Sequence, residues 1–275
     1  MINVQNIPLE IKKVAEVLEE AGFEAYIVGG CVRDLVVGKV PKDWDLTTNA
    51  HPDQIVALFP ESFCNNDYGT VGVKNEETED AAVKVIEVTP YRSEGTYTDS
   101  RRPDSVTFGV SLAEDLARRD FTINAIAYRI KTNETVDLYE GIEDIRKKRI
   151  KTVGNPEERF GEDALRLMRA VRLAAELNFM IESETMAGII AKSALLEKIA
   201  IERISSEFVK LINSTAPMQG IALLEKLQLL PYVLPEIIPA IGCEQGGIHA
   251  YDVYEHCLRT QIGRASCRER VLMPV

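Results

Sequence analysis

The sequence predicts an α/β (α+β) head built on a mixed β-sheet, followed by an all-α neck and body. Two observations carry this. Short strand-like runs alternate with helical segments in the first half, with the hairpin-like neighbours "GTVGV" and "AVKVIEVTPY" among them. From Glu157 onward, helical apolar spacing dominates. The 275 residues are 45% hydrophobic and 27% charged, a globular composition long enough for two or more domains.

Apolar residues at Ile11, Val14, Val17 and Leu18 mark a first helix that should stop near Gly22. "EAYIVG" reads as a buried strand, "GCVRDLVVG" as a turn into a short helix, and "DWDLTT" as a second strand. His51, Pro52 and Asp53 open the helix "DQIVALF", and the acidic loop "KNEETED" separates the two later strands. "RSEGTYTDSRRPDS", almost without aliphatic residues, reads as a mobile loop. No convincing strand is expected beyond about Val153. Helices are expected at "EDALRLMRAVRLAAELNF", "ETMAGIIAKSALLEKI", "ERISSEFVKLINS" and "QGIALLEKLQLLPYVLP". The expected division is a head over 1–140, a helical neck over 141–200, a helical body over 201–260 and a tail over 261–275. The tail, "QIGRASCRERVLMPV", abandons the apolar pattern and reads as non-native.

Lys and Arg total 32 against 43 Asp and Glu, a formal charge of −11 that repels nucleic acid at long range. RNA binding would therefore need a local patch. Between Glu143 and Arg172 there are nine Lys/Arg and six acids, a basic strip within an acidic chain. The five cysteines are scattered and lack metal-site spacing, so they read as free thiols. The N-terminus lacks the apolar core of a signal peptide and no apolar run reaches membrane-span length, so a cytoplasmic protein is expected.

Side chains at i and i+2 of a strand share a face, so Asp43 and Asp45 project together. Two adjacent carboxylates repel unless a divalent cation lies between them, and an all-oxygen set with phosphate completing the shell favours Mg²⁺. That chemistry suits phosphoryl transfer. Upstream, "GGCVRD" places Gly29 and Gly30 for close backbone approach to a phosphate and Arg33 as a charge-assisted donor.

"VGGCVRDLVVGKVPKDWDLTTNA", "LARRDFTINAIAY" and "GEDALRLMRAVRLAAEL" together resemble the successive motifs of bacterial class II tRNA nucleotidyltransferases, the CCA-adding enzymes, and their poly(A) polymerase relatives. The resemblance runs from about Ile7 to about Cys257. It implies a palm-like head in which Asp43 and Asp45 are the catalytic metal ligands and Gly30 and Arg33 contact nucleotide phosphates. It makes Arg119 a nucleotide contact, with Asp120 and Asn124 serving the ribose or the local hydrogen-bond frame. Glu87 is not assigned to the site.

Cytosine and adenine each present an amine donor beside a ring-nitrogen acceptor, whereas uracil and guanine present a carbonyl beside an N–H. A carboxylate and a guanidinium reading that edge would accept C and A. Asp163 and Arg166, three apart on an expected helix, fit this role, which the family fills with a protein template. The likeness adds Arg169 and Arg172. Steps of three residues precess by about 60° each, which puts Arg172 roughly opposite Asp163.

"GGIHAYDVYEHCLRT" resembles the start of an HD-type domain, here without a His-Asp pair, so no complete HD hydrolase site is expected. The family implies Mg²⁺-dependent transfer of CMP and AMP from CTP and ATP to the tRNA 3′ end, without a nucleic-acid template. The alternatives are a bacterial poly(A) polymerase and a non-catalytic nucleotide- or RNA-binding module. "RSEGTYTDSRRPDS" resembles the flexible loop of complete CCA enzymes and favours CCA addition.

Overall fold

The computed structural model describes residues 4–64, 68–95, 97, 104–244 and 251–259. Two compact units emerge. The first runs through Lys147 apart from Tyr97 and takes in Lys151–Gly154; the second holds Tyr97, Lys148–Ile150 and the described chain from Asn155 on.

The first unit comprises α1 (Leu9–Glu20), β1 (Ala25–Val28), α2 (Gly30–Val37), β2 (Asp45–Thr48), α3 (Pro52–Leu58), β3 (Ser62–Cys64), β4 (Val71–Lys74) and β5 (Val85–Pro90). It continues with β6 (Arg92–Glu94), β7 (Val106–Phe108), α4 (Leu112–Ala117), β8 (Ile126–Arg129), β9 (Glu134–Asp137) and α5 (Gly141–Arg146). Seven strands form one mixed sheet in the order β3-β4-β5-β2-β1-β8-β9. β2 and β5 run parallel, and the other neighbours are antiparallel.

Helix α1 buries Ile11, Val14, Ala15 and Leu18 and gives way to Gly22 at φ 89°, as its spacing predicts. The expected mixed sheet and the β4/β5 hairpin are present. Tyr26, Val28, Tyr91, Leu116 and Ala127 cluster in the core, so α4 covers one sheet face. Ser111 caps α4 by accepting from the Glu114 amide, while Glu114 returns a carboxylate oxygen to the Ser111 amide. That cap fixes where α4 starts, and hence where Arg118 and Arg119 leave it.

Several boundaries differ from expectation. Strand β2 begins at Asp45, leaving Asp43 in the bend before it, because the ladder with β5 starts at the Asp45–Glu87 pair. The segment read as a loop opens with β6, which pairs with β7; residues 96 and 98–103 lie outside the described residues. Helix α5 falls within the first compact unit. A Cβ at Gly141 would lie 2.2 Å from the Thr122 carbonyl oxygen, so only glycine permits this contact.

The second unit contains β10 (Arg149–Ile150), α6 (Pro156–Glu162), α7 (Leu165–Leu177), β11 (Met180–Ile181), α8 (Ser183–Lys192), α9 (Ile201–Ile212), α10 (Pro217–Lys226), α11 (Leu230–Val233) and α12 (Val253–Cys257). Helix α7 packs against α9 and α10 and buries Leu167, Ala170, Val171 and Ala174. Strand β11 corrects the expectation of no strand beyond Val153, though it is only a two-residue parallel partner of β10.

The single helix expected across "EDALRLMRAVR" is two helices. The chain breaks at Asp163 (φ −132°, ψ 104°), whose carboxylate accepts the Leu165 amide at 3.1 Å and caps α7. Asp163 and Arg166 are therefore joined by a turn rather than a helical face. His249 and residues 260–275 lie outside the described residues, and His256 sits in α12.

Candidate active site

The parallel ladder sets Glu87 directly beside Asp45, and both point to the face that α4 covers, since Thr47, two residues from Asp45, reaches Asp115 of α4 at 3.4 Å. Burial pushes the Asp45 carboxyl up; Arg119 pulls it down, and Glu87 and Asp43 push it up again, leaving it at about 6. Sequence spacing did not assign Glu87. Its adjacency comes from the long crossover between β2 and β5, and the one local signal is an acid flanked by buried Ile86 and Val88.

The donor chemistry fits Mg²⁺. Ionised oxygens crowd together and destabilise one another, which a divalent cation relieves. Among the described residues no group of three His, Cys, Asp or Glu side chains forms a cage for a metal ion. Mg²⁺ held by one or two carboxylates and substrate phosphates needs no such cage.

Gly29 ends β1 at φ 84°, ψ −134°, a conformation that favours glycine, and turns the chain into α2. A Cβ there would meet Arg119 Nη1 at 3.2 Å and Asp45 Oδ2 at 3.9 Å, so the glycine leaves room for both side chains to approach this corner. At Gly30 a Cβ would find only ordinary contact, 3.5 Å from Arg33 Nη2. Protein packing alone does not require glycine at position 30.

Arg33 is tied down. Its Nε and Nη2 donate to Asp34 at 2.9 and 2.8 Å, and its Nη1 donates to Asn124 Oδ1 at 2.7 Å. Asn124 in turn donates to Asp120 Oδ1 at 3.0 Å, which also accepts the Phe121 amide at 2.8 Å. Asp120 and Asn124 therefore serve the local frame that orients Arg33. Arg119 donates Nη2 to Asp115 at 3.2 Å, while its buried Nε has no hydrogen-bond partner.

In the second unit, Arg166 donates Nη1 to Glu162 at 2.7 Å and to the Arg159 carbonyl at 3.1 Å. Asp163 Oδ2 accepts from Arg203 at 3.4 Å, a partner that sequence spacing did not suggest. Arg169 is partly buried on α7. Arg172 donates to Glu176 at 2.6 Å and to the buried Glu207 of α9 at 2.5 Å, so it fastens α7 to α9. Arg172→Ala leaves the buried Glu207 paired with the exposed Lys210, and should cost about 3 kcal/mol. A thermal melt checks this; a melt unchanged within about 0.5 kcal/mol would refute the fastening role. The expected basic strip is largely spent on such pairs, Lys147 with Glu143 and Arg159 with Glu162 among them.

Residues 25–151 match the family model described as "Poly A polymerase head domain", and residues 178–241 match "Probable RNA and SrmB- binding site of polymerase A". The CCA-adding enzyme of Levilactobacillus brevis is 46% identical over 224 residues, covering 80% of this chain and 55% of that protein. The two matched segments resemble the head and RNA-binding domains of the poly(A) polymerase and tRNA nucleotidyltransferase family. The CCA-adding enzyme of Enterococcus faecalis is 47% identical over 225 residues, 80% of this chain and 54% of that one. Among solved structures, Bacillus stearothermophilus CCA-adding enzyme in complex with CTP matches with a TM-score of 0.74 and 37% identity, over 82% of this chain and 54% of that one. The chain thus spans about half the length of these family members. No described helix is long and apolar enough to cross a membrane.

Proposed function

We propose that this chain carries the catalytic half of a CCA-adding tRNA nucleotidyltransferase, transferring CMP and AMP from CTP and ATP to the tRNA 3′ end in the cytoplasm. The supporting observation is Asp45 crowded by Glu87 and Asp43 and faced by Arg119 across Gly29. Asp43 and Asp45 would hold Mg²⁺, which would supply Lewis acidity to the terminal hydroxyl and to the leaving pyrophosphate. Gly30 offers backbone to a phosphate, and Arg33, oriented by Asp34 and Asn124, presents positive charge there. Arg119 contacts the nucleotide with the arms that Asp115 leaves available. Base choice belongs to Asp163 and Arg166, with Arg169 a further nucleotide contact; Arg172 acts by holding α7.

The test uses tRNA lacking its 3′ CCA, Mg²⁺, and each nucleotide alone or CTP with ATP. Growth by C, C and then A, stopping there, is the expected result. The match to a poly A polymerase head domain favours one second reading, and a long A tail from ATP alone would establish it. No extension alongside retained CTP binding would identify a binding module.

A further inference from the structure

Asp115, on α4, is fully buried, and its two oxygens serve different arginines. Oδ1 accepts from Arg118 Nε and Nη2 at 2.9 and 2.8 Å, and from the Arg92 amide at 3.4 Å. Oδ2 accepts from Arg119 Nη2 at 3.2 Å and lies 3.4 Å from the Thr47 hydroxyl, whose single proton is shared with the nearer Thr89 carbonyl at 3.0 Å. Arg118 also donates Nη1 to Glu94 at 3.1 Å, and Glu94 accepts from Arg92 at 3.2 Å. A continuous chain of charges therefore runs from strand β6, through Glu94, Arg118 and Asp115, to Arg119. Burial works against the charge on Asp115, but Arg119 and Arg118 outweigh it and hold its carboxyl below the ordinary value.

The far end of this chain is what matters. Arg119 is gripped by one arm, its Nε has no hydrogen-bond partner, and its Nη1 lies 3.2 Å from where a Gly29 Cβ would sit. A guanidinium whose donors were all saturated by protein would be purely structural; this one is anchored on one side only. Thr47 adds a reason for the anchor's accuracy, because it sits two residues from Asp45 on the same strand face, so one carboxylate is referenced both to β2 and to Arg119.

We propose that Asp115 is a positioning residue for nucleotide binding: it aims Arg119 at the Gly29–Asp45 corner and, through Arg118 and Glu94, makes that aim depend on strand β6. The proposal rests on the reading of Arg119 as a nucleotide contact.

The experiment is a double-mutant cycle on CTP affinity in Mg²⁺, by calorimetry on the whole chain. Asp115→Asn keeps the shape and removes the charge, and should weaken CTP binding about tenfold, as should Arg119→Ala. The double variant should bind no more weakly than Arg119→Ala alone, since the two changes remove one interaction. Glu94→Gln, on strand β6, perturbs the same chain of charges while leaving the buried Asp115 intact, and so guards against misfolding of the Asp115 variant. It should weaken CTP about threefold in the native background and not at all beside Arg119→Ala.

Additive losses, or unchanged CTP affinity in Asp115→Asn and Glu94→Gln, would overturn the positioning role. Unchanged affinity in a chain that still extends tRNA would overturn it alone. Intact coupling in a chain that extends no RNA would overturn the assigned reaction and leave the positioning role standing. A native chain that fails to bind CTP would overturn both.

Discussion

Asp45→Asn should lower CMP and AMP incorporation by at least about 10³-fold while leaving the fold intact. Asparagine keeps the size and one acceptor oxygen but removes the charge that holds a divalent cation. The same change should raise the thermal midpoint slightly in Mg²⁺-free buffer, because burial and the neighbouring Glu87 and Asp43 disfavour the ionised Asp45. Opposite signs on activity and stability are the signature of a site under electrostatic strain. Asp43→Asn should share the loss of activity without the gain in stability, since Asp43 is exposed. Single-turnover incorporation and a melt without metal check both variants. An Asp45→Asn rate within tenfold of the native chain would remove Asp45 from the metal set.

Arg166→Ala should relax discrimination of CTP and ATP against UTP and GTP by about 10²-fold, with Mg²⁺-dependent transfer persisting. A good bidentate contact to a base edge contributes about 1–3 kcal/mol of discrimination. Arg166 is held by Glu162 and the Arg159 carbonyl, so its direction is set before any base arrives. Asp163→Asn is the better companion than Asp163→Ala, because asparagine can still cap α7 while replacing one acceptor oxygen with a donor. Incorporation rates for all four nucleotides are the measurement. An unchanged preference in both variants would dismiss Asp163 and Arg166 as the base readers.

The legible parts of this chain were those governed by local periodicity. The face of α1, the glycine turn into α2 and the His51-Pro52 start of α3 all follow from neighbours a few residues apart. Asp115 was not singled out in the sequence, although it lies four residues before Arg119. What escaped depends on distance along the chain or on a single dihedral. Nothing near Glu87 states that it will lie beside Asp45, because that neighbour arrives through a parallel crossover. The break at Asp163 escaped because apolar spacing continues on both sides of it; the cap-forming aspartate was its one sign.

Strand β2 is hydrogen-bonded on both flanks, with Leu46 aligned to Ile27 on one side and Val88 on the other, whereas β3 and β9 are edges. Sliding β2 by one residue would turn Asp45 to the opposite face and bring Leu46 into its place. Both ladders oppose that slip, so the number of residues between the end of α2 and Asp45 is constrained by the chemistry at its far end. Length changes at the edge hairpins meet no such restriction. Variation in this head should accumulate at the sheet's margins, leaving its middle strands as a fixed ruler.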